Sequence, residues 1–316
     1  MGCALVSNVS ELYLQKPPLT FLGVQTSRDK TPLSFVGVPL DVTSSFRPGS
    51  RFAPYYVRLA SLSLETYSLR AGIDLDEVGV HDEGDVVIAH GDVNSSLRAI
   101  EVVAEDLLRS GRLTVFAGGE HLLLYAIAKA LMKIYGGKIC VVIFDAHADY
   151  RSEYLGVKLS HACTVRRVCE VIPQSNVMLV GIRALSSSEV KDLKKSQIRY
   201  VTSIDIVKYG LREAYRRIKN FIEDCQYVHV SVDMDVLDPA YAPAVSTPEP
   251  EGITPTHLLD LLDMIMMSSN VVGLDTSEYV PLINGLDVTG FMNAKIIIES
   301  LTYMYRRKKQ GDSKHL

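Results

Sequence analysis

No apolar stretch in this chain of 316 residues is long enough to span a bilayer. The opening residues have neither the basic start nor the long apolar run of a secretory leader. A soluble, cytoplasmic protein is therefore expected. Met1-Gly2-Cys3 is similar to the start of a myristoylation signal, but Val6 stands where serine or threonine is needed. Cysteine is scarce. Cys3, Cys140, Cys163, Cys169 and Cys225 are an odd set with no CxxC pair, so free thiols in a reducing compartment are expected in place of a disulfide framework. Cys140, inside an apolar run, reads as a small core residue. Excess charge is also missing. The net value of −4 gives no reason to expect a nucleic-acid or anionic-membrane partner. The basic tail Arg306-Arg307-Lys308-Lys309 reads as a solvated terminus. There is no internal repeat, low-complexity segment or linker that would divide the chain.

The chain is 47% hydrophobic, enough for a large core. Residues 1–32, broken by Pro17-Pro18 and Pro32, read as an irregular N-terminal arm. Residues 33–316 alternate strands and helices. Strands are predicted at 34–38, 112–116, 139–145, 176–181, 198–201, 227–233 and 271–275, with short extended pieces at 77–80 and 86–88. Helices are predicted at 54–64, 92–108, 122–134, 161–170, 187–194, 205–223, 255–267 and 287–306. The strands are rich in Val and Ile and lack polar alternation, which implies a parallel sheet covered on both faces. The predicted fold class is α/β, a single three-layer α/β/α domain with a mainly parallel sheet. Sites in such sheets form beyond the carboxyl ends of the strands.

Two acidic clusters occupy that position. Asp145-Ala146-His147-Ala148-Asp149 follows the run Ile139 to Phe144, and extended-chain alternation puts Asp145, His147 and Asp149 on one side. Asp233 and Asp235 share a face at the end of Tyr227 to Asp233. Buried carboxylates at this density need cations to neutralise them. A third segment, Ala117-Gly118-Gly119-Glu120-His121, brings His121 to the same edge through a glycine turn. The candidate ligands are His121, Asp145, His147, Asp149, Asp233 and Asp235. They exceed the needs of one ion and suffice for two sharing bridging carboxylates, roughly 3.5–4 Å apart. Oxygen-rich ligation with a little imidazole and no thiolate favours Mn²⁺ over Zn²⁺.

Gly118-Gly119-Glu120-His121, the Asp145–Asp149 segment and Ser231-Val232-Asp233-Met234-Asp235-Val236-Leu237-Asp238-Pro239 together resemble the three signatures of the ureohydrolases, the family of arginase, agmatinase and formimidoylglutamase. Gly37 to Asp41, Ser45 to Gly49 and Ala242 to Pro248 extend the resemblance over nearly all of residues 34–305. The resemblance implies an arginase-like fold, two Mn²⁺ per chain, a hydroxide between them and a small guanidino substrate. It implies that His121, Asp145, Asp149 and Asp233 hold one ion and that His147, Asp145, Asp233 and Asp235 hold the other. It further implies that Glu278 binds the guanidinium, that Asp149 orients the hydroxide and that His161 carries the proton to the leaving amine. A homo-oligomer, trimer or hexamer, follows from the same resemblance. The chain departs from the family pattern at Glu120, Leu122, Ala244 and Ser246, which puts rate and loop geometry in question more than reaction class.

Each residue has a plainer reading. A lone Asp or His at a strand end is usually a cap, and His161 can simply begin a helix. His229 reads as a hydrogen-bonded core histidine. Arg47, Arg51 and Arg58 read as subunit contacts or solvated surface. The loop 150–160 resembles that of agmatinases and lacks the Asn-rich carboxylate reader of arginases. Glu153 is therefore the candidate reader of a cationic tail, although it could equally pair with Arg151 at the surface. Arg151 keeps a carboxylate-bearing substrate open. The expected reaction is agmatine to putrescine and urea, a step of polyamine biosynthesis. Arginase, guanidinobutyrase and formimidoylglutamase are alternatives on the same site. Rivals from other classes are a single-zinc deacetylase, a structural metal protein and a catalytically silent metal-binding regulator.

Overall fold

In the computed structural model, which describes residues 9–281 and 287–312, the apolar run Ile139–Phe144 is a strand buried at every position. The Met1-Gly2-Cys3 start and His315 lie outside the described residues. The strands are β1 Leu14–Gln15, β2 Leu33–Val38, β3 Tyr67–Ser68, β4 Ile73–Asp74, β5 His81–Val86, β6 Leu113–Gly118, β7 Ile139–Phe144, β8 Val177–Ile182, β9 Arg199–Thr202, β10 Tyr227–Asp233 and β11 Val271–Ser277. The helices are α1 Ala53–Ser61, α2 Leu75–Val78, α3 Val93–Arg109, α4 Leu123–Tyr135, α5 Thr164–Val168, α6 Ser187–Lys195, α7 Ser203–Tyr209, α8 Leu211–Ile222, α9 Pro255–Ser268 and α10 Val288–Asp312. No described helix is long and apolar enough to cross a membrane.

Nine strands form one sheet in the order β1-β5-β2-β6-β11-β10-β7-β8-β9, and β3 pairs with β4 in a small separate ladder. Only β1 runs antiparallel to its neighbour in the large sheet. Successive side chains of a strand point to opposite faces, so an all-apolar strand needs cover on both. Val142 and Phe144 of β7 accordingly pack into a core with α1, α8, α9 and α10. Val141 and Ile143 pack into a second core with α3, α4 and α5. The result is the three-layer α/β architecture expected from the sequence.

Several local expectations need correction. Residues 75–78 are helical, capped by Asp74, and the extended strand is 81–86. Its buried positions, Asp82, Gly84 and Val86, include a charge, so no apolar alternation marks it. Arg58 supplies the compensation. It is wholly buried, not solvated, and donates to Asp82 from Nε at 2.8 Å and from Nη2 at 2.9 Å, and to Asp85 from Nη1 at 2.6 Å. Removing it would strand two carboxylates, a loss of about 3–5 kcal/mol. The predicted helix 205–223 is two helices, because Gly210 takes φ 84°, a left-handed conformation that ends α7. Residues 14 and 15 of the arm join the sheet by pairing with β5.

The cysteine expectation fails too. Cys140 and Cys225 form a disulfide, while Cys163 and Cys169 are free. Cys225 lies between α8 and β10, and Val228 of β10 sits opposite Cys140 in register. Strand pairing therefore brings the two sulfurs together across a sequence separation of 85. That neighbourhood is set by tertiary pairing and leaves no trace in cysteine spacing.

Candidate active site

Four strands adjacent in the sheet, β6, β11, β10 and β7, end at one edge, and the segments after them build the site. After β6 the chain turns at Gly119, where a Cβ would lie 1.9 Å from the carbonyl oxygen of Leu40. Only glycine allows that approach. The turn delivers Glu120 and His121, both fully buried. Beyond β7 the chain leaves extended geometry, and Asp149 takes φ 47°. Beyond β10, Asp233 Oδ1 accepts from the backbone N–H of Asp235 at 3.0 Å and holds the two carboxylates on one short turn. Beyond β11, Glu278 takes φ 63°. Left-handed backbone costs a non-glycine residue roughly 1–2 kcal/mol, and such strain concentrates at functional sites.

The six expected ligands converge. His121 Nδ1 lies 3.1 Å from Asp145 Oδ2, 3.3 Å from Asp149 Oδ2 and 3.3 Å from Asp233 Oδ2. His147 Nδ1 lies 3.0 Å from Asp235 Oδ2 and 3.6 Å from Asp145 Oδ1. Asp145 thus presents one oxygen to each imidazole. Among the described residues, two donor sets close enough to hold an ion are His121, Asp145, Asp149 and Asp145, His147, Asp235. Together they form a candidate binuclear centre with Asp145 in common.

The electrostatics show carboxylates in excess of the two imidazoles that face them. Burial, then the neighbouring Asp145, pushes the Asp149 carboxyl up to about 6. Burial, then Asp235 and Asp145, holds Asp233 well above the usual carboxylate range. Burial opposes charge on His147, yet Asp235 and Asp145 prevail and push it up to about 12. His121 is raised well above its ordinary value, as Asp145 and Asp149 outweigh its burial. His121 Nδ1 and Asp145 Oδ2 face each other, buried and without a hydrogen-bond partner. Orphaned buried donors of this kind, oxygen-rich with two imidazoles, fit divalent cations.

An open cavity of about 160 Å³ lies over the cluster and is lined by His147, Asp149, Asp233, Asp235 and Glu278. His161 also lines it. Its backbone N–H donates to Thr43 Oγ1 at 2.9 Å, and Thr43 Oγ1 in turn donates to Glu120 Oε2 at 3.0 Å. With the Thr43 proton spent on Glu120, His161 Nδ1 is the donor in its 3.3 Å contact with Thr43. That leaves Nε2 facing Ser45 at 3.2 Å on the cavity wall. Burial, then Glu278, pushes Glu120 up to about 7.

The tail end of the cavity differs from expectation. Glu153 is exposed and does not line it. The loop 150–160 leaves that side chain exposed to solvent. Arg151 does line the cavity, with its guanidinium 5.2 Å above the Tyr154 ring. Its ion-pair partner is Glu189, at 3.4 Å, not Glu153. Glu189 is a wall residue that the sequence reading missed. Ser186 and Glu189 form a capping box at the start of α6, and that local role was the only signal the sequence carried. Thr43, Ser45 and Thr247 were missed for the same reason, since single hydroxyls in loops have no pattern. Of the departures from the family pattern, Leu122 is plain core, and the Ser246 N–H donates to the Glu278 carbonyl at 3.1 Å. The loop carrying Ala244 and Ser246 therefore props the Glu278 backbone.

Known proteins resemble this chain in sequence and fold. The arginase family model matches residues 31–302. The agmatinase of Bacillus anthracis is 36% identical over 282 residues, covering 89% of this chain and 94% of that protein. The human mitochondrial guanidino acid hydrolase is 30% identical over 301 residues, covering 89% of this chain and 80% of its own length. The crystal structure of the agmatine ureohydrolase of Thermoplasma volcanium superposes with a TM-score of 0.81 at 32% identity, covering 90% of this chain and 94% of that one. With a matching family model over most of its length and relatives above 30% identity, the chain belongs to the arginase family of ureohydrolase enzymes.

Proposed function

We propose that the protein hydrolyses agmatine to putrescine and urea at a binuclear Mn²⁺ centre. The observation that carries the reading is Asp145, buried between two imidazoles with one oxygen toward each. In this reading His121, Asp145, Asp149 and Asp233 would hold one ion, and His147, Asp145, Asp233 and Asp235 would hold the other. Bound there, the pair lowers the pKa of water and supplies hydroxide for attack on a guanidinium carbon, an electrophile too weak for water at neutral pH. Glu278 presents a carboxylate to the planar guanidinium, which its donors can grip in a fork. Asp149, beside His121 Nδ1 on the cavity wall, would accept a hydrogen bond from the nucleophile and orient it. His161 Nε2, the unprotonated ring nitrogen on the cavity wall, can take up a proton released as the nucleophile attacks and pass it to the leaving amine.

The tail of agmatine is an amine, and Glu189 offers it a carboxylate on the same wall. A second reading has an observation of its own. Arg151 lines that wall too, and a guanidino acid or formimidoylglutamate would place its carboxylate there. The relative named an agmatinase at 36% identity favours the first. A cytoplasmic place in polyamine synthesis and a trimeric or hexameric assembly belong to the same proposal. The Cys140–Cys225 bond adds the condition that the compartment lets that pair oxidise. Chelator-stripped protein, reloaded with Mn²⁺ and supplied with agmatine, should release urea. Release that survives stripping, or none from any guanidino compound after reloading, contradicts the reading.

A further inference from the structure

The face of β10 that carries Asp233 is not apolar. Its next two positions back, Ser231 and His229, are fully buried, and so is Asp275 on the neighbouring strand β11. These three residues form one chain behind His121. Ser231 Oγ lies 3.1 Å from His121 Nε2. Ser231 Oγ donates to Asp275 Oδ1 at 2.7 Å. Asp275 Oδ2 lies 2.7 Å from His229 Nε2. Asp275 takes no part in the chemistry proposed above, yet a buried carboxylate in a central strand is costly unless it is fully engaged.

The polarity of the chain follows from what each group can do. A carboxylate only accepts, so His229 Nε2–H donates to one oxygen and the Ser231 hydroxyl to the other. A hydroxyl has one proton. Once it is given to Asp275, Ser231 faces His121 as an acceptor only. In the neutral ring that a metal ligand requires, the His121 proton must then sit on Nε2, leaving Nδ1 a lone pair. Nδ1 is the atom aimed at Asp145, Asp149 and Asp233. A lone pair aimed at three carboxylates is repulsive by itself and useful only with a cation between them. Gly273 keeps room for the anchor, since a Cβ there would stand 3.3 Å from His229 Nδ1.

We infer that Asp275, anchored by His229, is a positioning residue that sets the ligand tautomer of His121 through Ser231. The inference rests on His121 as a metal ligand, the reading given above. Asp275→Asn turns one acceptor into a donor, so the chain can reverse and push the His121 proton to Nδ1. Ser231→Ala cuts the link with a smaller packing change. His229→Gln keeps an Nε2–H donor for Asp275.

The test is Mn²⁺ titration of the purified full chain, followed by calorimetry without substrate, with histidine ¹⁵N spectra of the same proteins loaded with diamagnetic Zn²⁺. Loss of such outer partners typically weakens a metal by roughly ten- to a hundredfold, the range expected for Asp275→Asn and Ser231→Ala. His229→Gln should bind close to wild type. Wild-type affinity in both Asp275→Asn and Ser231→Ala would overturn the inference, and Ser231→Ala alone decides if Asp275→Asn does not fold. Should the wild-type chain bind no Mn²⁺, the proposed function falls on its own. The tautomer is then read directly from the spectra. A His121 signal protonated at Nε2 that shifts in Ser231→Ala supports the relay, and an unchanged signal overturns it.

Discussion

The backbone N–H of His121 donates to Glu278 Oε1 at 2.6 Å, across a sequence separation of 157. The Glu278 N–H donates in return to the Gly119 carbonyl at 2.8 Å. The turn that carries a metal-ligand candidate and the carboxylate that faces the cavity are therefore one rigid unit. Glu278→Gln keeps the shape and the backbone bonds but removes the charge that meets a guanidinium. A charged hydrogen bond lost in this way is worth ~2.7 kcal/mol, so urea release should fall about a hundredfold. Metal content measured on the same preparation should not change. An unaltered rate would remove Glu278 from substrate binding.

The tail readers separate cleanly by exposure. Glu189→Gln should weaken agmatine binding, because Glu189 lines the cavity. Glu153→Gln should leave kinetics near wild type, because Glu153 points to solvent. The comparison is of Michaelis constants for the two variants, with metal content as control. A larger effect in Glu153→Gln would mean that the loop 150–160 closes over substrate.

Metal binding should be coupled to protons. His147 is pushed up to about 12, so its ring is protonated at neutral pH when no ion is present. A ligand imidazole must give up that proton. Apparent Mn²⁺ affinity should therefore fall as pH is lowered, with at least one proton released per chain. Calorimetry in two buffers of different ionisation enthalpy measures the release directly. A heat independent of buffer would contradict the protonation assigned here.

Much of this site was legible because it lies on segments contiguous in sequence. Asp145, His147 and Asp149 announce themselves by spacing, and Asp233 and Asp235 by their place at the end of an apolar strand. Spacing groups these three side chains even though Asp149, at φ 47°, has left extended geometry. What was not legible depends on tertiary neighbours. Glu189 reads as a helix cap until the fold brings it beside Arg151. Arg58 reads as a surface charge until β5 turns Asp82 and Asp85 toward it. Cys140 reads as core until β10 pairs with β7.

That last misreading leads to a stability prediction. The Cys140–Cys225 bond closes a loop with a sequence separation of 85. A crosslink across such a loop lowers the entropy of the unfolded chain by an amount worth about 4.5 kcal/mol of stability in the chain-entropy account. Cys140→Ala/Cys225→Ala should unfold at a clearly lower temperature than the oxidised wild type, and reductant should lower the wild type toward it. Both sulfurs lie at the opposite strand ends from the cluster, so metal content should persist below the transition. Equal melting temperatures with and without reductant would show that the pair contributes nothing.

The most direct test is the ratio of specificity constants for agmatine and arginine on the Mn²⁺-loaded enzyme, with 4-guanidinobutyrate alongside. Glu189 lines the cavity and suits an amine tail, and the sequence of loop 150–160 lacks the Asn-rich pattern of arginases, so on the proposed reading arginine brings an ill-matched charge into a partly buried wall. We expect agmatine to exceed arginine by at least about a hundredfold, a difference of ~2.7 kcal/mol. Comparable values for the two, or a preference for the guanidino acid, would contradict the agmatine assignment and transfer the tail-reading role to Arg151.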